Sequence, residues 1–176
     1  ADRRVVTAAA HGGAITCIDA LRAHGIWVLR DAGEEVHVWM GASGRRHRHA
    51  DCTCVTHYSP GVASVGVAPV VPALVHAFRC LEAEEFFASY ESAWSKRLLT
   101  ADDRSRIRRE LPKRARWMLD LARNDSGSGL ESLLRFRLHL LGLTLECQVV
   151  IPDVGRVDFV LAARVIIEVD GRENHQ

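Results

Sequence analysis

"GRVDFVLAARVIIEVDG", residues 155 to 171, carries the reading of the fold. Most of it is Val, Ile, Leu, Phe and Ala, the composition of a buried β-hairpin. Asp158, Glu168 and Asp170 interrupt that run. Residues two apart on a strand share a face, so Glu168 and Asp170 point the same way as Ile166, and Val165, Ile167 and Val169 point the other way. On the preceding strand Asp158 faces away from Val157 and Phe159, and a short turn brings it beside Glu168. Burying one unpaired carboxylate costs roughly several kcal/mol, and two cost more. The pattern therefore asks for a positive partner. Arg135, Arg137, Arg156 and Arg164 are candidates. A divalent cation serves better, because Mg²⁺ takes one or two carboxylates together with waters and phosphate oxygens. The plain alternative is a strand that runs out into a turn with its carboxylates in water.

Upstream of this stretch, Ser128 is placed to cap a helix, with Glu131 three residues later completing a capping box. Leu130, Leu133, Leu134, Leu138 and Leu141 form an apolar stripe that ends at Gly142. Strands are expected over 147–151, 156–161 and 165–170, joined by "PDVG" and "AAR" turns. The segment reads as a helix followed by a three-strand meander.

The same stretch, taken with "GSGLESLLRFRLHLLGLTLECQVVIP" before it and "RENH" after it, resembles the nuclease-like domains related to very-short-patch-repair endonucleases, members of the PD-(D/E)xK superfamily. The resemblance covers about 50 residues and rests on order and spacing: a helix carrying Glu131, Gly142 and Gln148, the "VDF" strand, "IEVDG", then His175. It implies that Asp158 and Glu168 bind Mg²⁺ or Mn²⁺ and that Glu131 completes the acidic cluster. Gln148 is the polar residue of the first strand, Asp170 stands where the family has lysine, and His175 resembles the histidine near the scissile phosphate. The implied reaction is metal-dependent hydrolysis of DNA phosphodiesters, of repair or restriction type, with no organic cofactor. The relatives continue with further helices and strands, so the domain reads as truncated after Gln176.

In the first part of the chain, Val5, Val6, Ala9 and Ala10 have helical spacing, and Thr16 is placed to cap "CIDALRAHG". "IWVLRDAGEEVHVWMG" reads as two short strands around a turn at Asp31 to Gly33. Helix, turn, helix and hairpin is the order of a winged helix-turn-helix. With "SYESAWSKRLLT", this region resembles the front part of abortive-infection AbiEi-type antitoxins. That resemblance implies a second function class, a non-catalytic DNA-binding regulator on a degenerate nuclease fold. Residues 45–58 carry a weak period-2 pattern, and Pro60, Gly61, Gly66, Pro69 and Pro72 mark a loop. One long helical stretch is expected from Pro72 to Leu99, and another from the Thr100 cap, divided at Pro112.

Basic clusters at Arg45 and Arg46, and at Arg104, Arg106, Arg108, Arg109, Lys113 and Arg114, are candidates for phosphate contact; the alternative is a solvated helix face. "HRHADCTCVTH" offers His47, His49, Cys52, Cys54 and His57 as zinc ligands. Against that, a Cys-x-Cys in a period-2 strand also suits a core built with small apolar residues.

The gross numbers bound these readings. The chain has 176 residues, is 48% hydrophobic and 26% charged, and carries a formal net charge of +1, so a packed core is expected rather than disorder. No run of about 18 apolar residues predicts a membrane span. "ADRRVVTAAAHGG" lacks the apolar region of a signal peptide, and five cysteines without a regular framework fit a reducing cytoplasm. The expected class is α+β: a mainly helical N-terminal region with a small β wing, then a restriction-endonuclease-like unit. Expected segments are winged-helix-like 1–58, helical 59–125 and nuclease-like 126–176. DNA is the expected partner, and a homodimer is compatible with the sequence.

Overall fold

The computed structural model describes residues 2–31, 33–47 and 52–169. The chain is α+β, with helices packed around one small mixed sheet and against one antiparallel meander. Helix α1 (Arg3–Ala10) starts where the Asp2 side chain accepts from the Arg4 backbone N–H. Strand β1 (Ala14–Ile15) then leads into α2 (Cys17–Ala23). Strands β2 (His37–Trp39), β3 (Val55–His57) and β4 (Gly66–Val67) complete a sheet in the order β3-β2-β1-β4. β1 pairs antiparallel with β2 and parallel with β4, and β2 pairs parallel with β3.

Alternation along β2 divides the surroundings of this sheet into two. Val36, Val38 and Met40 pack with Ala8, Ile15 and Cys54 on the α1 side. Trp39 faces the larger cluster on the other side, which runs through Leu21, Leu74, Phe86, Tyr90, Ile107, Leu111 and Met118 to Phe136. That cluster is assembled from α3 (Val70–Ala77), α4 (Ala83–Ser95), α5 (Ala101–Glu110), the short α6 (Arg116–Leu121) and α7 (Gly129–Leu140).

The C-terminal meander is β5 (Leu145–Ile151), β6 (Gly155–Leu161) and β7 (Val165–Ile167), all antiparallel, with Phe159 opposite Ile167. Val157 and Phe159 are buried, and Asp158 lies on the other face. No helix among the described residues is long and apolar enough to cross a membrane.

Several sequence expectations need correction. The hairpin expected over 26–40 does not form among the described residues: only His37–Trp39 is a strand there, and it pairs with β1 and β3 rather than with residues 26–31. Among the described residues the wing is therefore not a two-stranded unit. The helix assigned to the recognition unit, α2, buries Cys17 through Leu21 and packs on α3, which leaves only its last residues, Arg22 and Ala23, toward solvent. The loop over 60–69 contributes β4, joining segments 1–58 and 59–125 through one sheet. The long helix expected from Pro72 to Leu99 is two helices, because Glu82 and Glu85 form a capping box that starts α4 afresh. The box expected at Ser128 is half made. The Ser128 hydroxyl accepts from the Glu131 N–H, but the Glu131 carboxylate accepts from the Gly127 N–H instead of returning to Ser128.

Candidate active site

The Glu131 position follows from the helix start. With Ser128 as cap, Glu131 lies in the first turn of α7, where an acid favours the exposed backbone N–H groups. Its Oε2 accepts from Gly127 N at 3.0 Å and from Gln148 Nε2 at 3.1 Å. Gln148 reaches it from β5 with φ at 54°, a left-handed backbone that costs a non-glycine residue about 1–3 kcal/mol. Glu131 is buried, and burial raises its pKa above the usual carboxylate range; the nearby Asp158 charge adds to that rise.

Asp158 and Glu168 meet across the β6–β7 ladder. Extending the Phe159–Ile167 register by one residue places them opposite each other. The Asp158 Oδ2 accepts from Val169 N at 2.9 Å, and Glu168 Oε2 lies 3.4 Å from Asp158 N. The acids thus come from one helix and two adjacent strands, with Gln148 between. Glu131, Asp158 and Glu168 do not converge as tightly as a three-ligand cage, which would bring one oxygen of each within 4.8 Å of the other two.

None of the arginines considered as partners forms an ion pair with the cluster among the described residues, although Arg135 lines the same small cleft as Glu131 and Gln148. Arg135 pairs with Glu91 in the interior, and Arg137 binds Glu84 in a fork at 2.6 and 2.7 Å. Arg156 and Arg164 are exposed, and neither forms an ion pair among the described residues. Glu131, Asp158 and Glu168 likewise have no ion-pair partner among the described residues. Asp170 and His175 lie outside the described residues.

The basic residues divide. Arg104 sits 3.9 Å over the Trp94 ring, and Arg108 is bound to Asp120. Arg106, Arg109, Lys113 and Arg114 are exposed at the end of α5 and the turn after it. Arg45 is exposed, whereas the Arg46 guanidinium donates to Cys52 Sγ at 3.4 Å.

The candidate zinc ligands of residues 47–57 do not come together in one group among the described residues. Cys54 is on the α1 side of the sheet, and His57, an odd number of residues later on the same strand segment, is on the other. Cys52 and Cys54 group with His11, whose Nε2 is 3.0 Å from Cys52 Sγ. His57 groups with Cys17, His37 and Cys80. His47 is exposed, and its backbone carbonyl lies 2.6 Å from His11 Nδ1; His49 lies outside the described residues. Sequence reasoning missed Cys17, His37 and Cys80, which are spread over separate elements with no local motif. No protein-family model, curated protein or solved structure matches the chain.

Proposed function

We propose that the chain is a divalent-metal-dependent nuclease that cleaves DNA phosphodiester bonds. The observation that carries this is the pair Asp158 and Glu168, opposed across a ladder beside the buried Glu131, with no protein cation paired to any of them among the described residues. Anions so placed repel, and their charge is best balanced by an ion from solution. The donor set fits Mg²⁺ or Mn²⁺: hard carboxylate oxygens, on a half-buried Asp158 and an exposed Glu168, which such ions take together with water and phosphate oxygens. A bound ion would acidify a water and neutralise phosphate charge.

The side chains divide the work. Val169 N–H fixes one Asp158 oxygen and leaves the other for the ion. Gln148 holds Glu131 in place through its amide, so that Glu131 orients the site from behind. Arg106, Arg109, Lys113 and Arg114 supply an exposed positive surface for the phosphate backbone of the substrate.

The test is incubation of the purified protein with nicked, mismatched and single-stranded DNA in Mg²⁺ or Mn²⁺. Cleavage that stops with chelator and with Asp158→Ala/Glu168→Ala is expected. No cleavage of any substrate, or equal cleavage by the double variant, overturns the reading. DNA binding that ignores chelator and leaves the DNA intact would favour a non-catalytic regulator instead.

A further inference from the structure

We propose that the N-terminal sheet is built around a tetrahedral Zn²⁺ site with Cys17 Sγ, His37 Nδ1, His57 Nε2 and Cys80 Sγ as ligands. These four ligand atoms all lie within 4.8 Å of one another. His37 Nδ1 and His57 Nε2 are 3.0 Å apart, and Cys80 Sγ is 3.9 Å from each. Zinc bonds of about 2.0–2.1 Å to nitrogen and about 2.3 Å to sulfur imply tetrahedral edges of about 3.3 Å between nitrogens and about 3.6 Å between nitrogen and sulfur. The observed spacings sit close to that figure on both sides.

Each ligand comes from a different element. Cys17 opens α2, His37 opens β2, His57 ends β3, and Cys80 lies in the connection between α3 and α4. His37 and His57 share a face of the parallel β2–β3 pair, and their rings stack at 5.3 Å. Cys17, His37 and His57 are buried, and Cys80 is half-buried. A hydrogen bond between the two imidazoles uses one proton and leaves both thiols turned toward the same point. Protein groups alone give this convergence little return, since thiols are weak donors and acceptors. Thiolate and imidazole together select zinc over Mg²⁺ or Ca²⁺.

The surroundings support a closed site. His76 stacks on His57 at 4.8 Å, but its own nitrogens are taken by Thr16 Oγ1 at 2.7 Å and Ser59 Oγ at 2.9 Å. It walls the site rather than joining it. Strands β1 to β4 are only two or three residues long, too short to pair stably by backbone bonds alone. A metal joining four segments supplies the missing cross-link.

The group His11, Cys52 and Cys54 on the opposite face must be separated in the test. Zinc is measured by elemental analysis on protein purified without chelator, in a Cys52→Ser/Cys54→Ser parent and in the same parent with Cys17→Ser/Cys80→Ser added. One zinc per chain is expected in the parent, and none after the addition. Wild-type protein gives a readout that survives a failure of the variants to fold. Peptide-resolved alkylation should find Cys17 and Cys80 protected until chelator is added. Co²⁺ in place of zinc should give the intense visible bands of a tetrahedral thiolate site. Absence of zinc from the parent, alkylation indifferent to chelator, or a Cys17–Cys80 disulfide released only by reductant overturns the proposal.

Discussion

Replacing Arg135 by Met tests how the two halves of the molecule are joined. Arg135 on α7 pairs with Glu91 on α4, and both are buried, Glu91 at 0% exposure and Arg135 at 7%. Arg135 also donates to the Leu121 carbonyl at 2.8 Å, and Arg123 N–H donates to the same Glu91 oxygen. The second Glu91 oxygen has no close hydrogen-bond partner among the described residues, and the Ser132 hydroxyl is a further group nearby that favours the carboxylate. Removing the guanidinium therefore leaves a carboxylate in the interior with the Arg123 N–H and the nearby Ser132 hydroxyl as its remaining donors and no cation. Breaking a buried pair from one side costs about 3–5 kcal/mol. That is a large part of the roughly 5–15 kcal/mol that holds a domain folded. For a chain of this length the melting temperature should fall by about 6–20 °C. Burial already raises the Glu91 pKa from its ordinary 4.5, with Arg135 opposing the rise. A carboxyl whose pKa is raised on folding contributes stability that is present below its unfolded value and lost as pH rises through the folded one. The penalty of Arg135→Met should accordingly shrink on acidification toward 4.5. The double variant Glu91→Met/Arg135→Met removes both charges and should return to within about 1–2 kcal/mol of wild type. Urea denaturation followed by tryptophan fluorescence measures the free energies at each pH, and thermal melts give the temperature shift. A single-variant cost under about 1 kcal/mol, or a double variant no better than the single, would refute the reasoning.

The remaining predictions concern the site and its supports. Gly129→Ala should destabilise by about 1–3 kcal/mol in thermal melts, because an added Cβ would meet Trp27 Cδ2 at 2.0 Å; a neutral result would mean that the indole moves freely. Glu131→Gln should raise the melting temperature at neutral pH and give no gain below 4.5, since burial and Asp158 raise the Glu131 pKa and its ionised form costs stability. The same variant should lose nuclease activity, so a gain in stability with unchanged activity would separate the two roles. Arg106→Gln/Arg109→Gln/Arg114→Gln should flatten the slope of log affinity for DNA against log salt by about 2–3, read from filter binding at several salt concentrations; an unchanged slope would place the DNA elsewhere.

The C-terminal part was legible because its signals are local. Ser128 as a cap, the leucine spacing after it and the "PDVG" and "AAR" turns gave α7 and the meander to within two or three residues. Parity along the strands put Asp158 and Glu168 on one face, and the ladder register places them opposite each other. The N-terminal half resisted because its strands are two or three residues long and pair with partners far away in the chain. A strand of that length shows no alternation to count. "IWVLRD" has the apolar composition of a strand, but Trp27 is used for packing on Gly129 and its N–H and C=O are taken by Ser92 and Ser89 side chains. The same distance hid the Cys17, His37 and Cys80 grouping. The odd spacing of Cys54 and His57 on one segment is a sequence signal that separates them, and only the Cys52–Cys54 parity entered the reading.

Trp27 lies a hundred residues before Gly129, yet its ring plates the first residue of the helix that carries Glu131. The start of α7, capped by Ser128, is thus also covered by a side chain contributed from far away in the chain. The two halves are consequently not interchangeable parts. A chimera joining residues 126–169 to a foreign leader would uncover Gly129, strand Arg135 without its acid, and leave the carboxylates behind them loosely aimed.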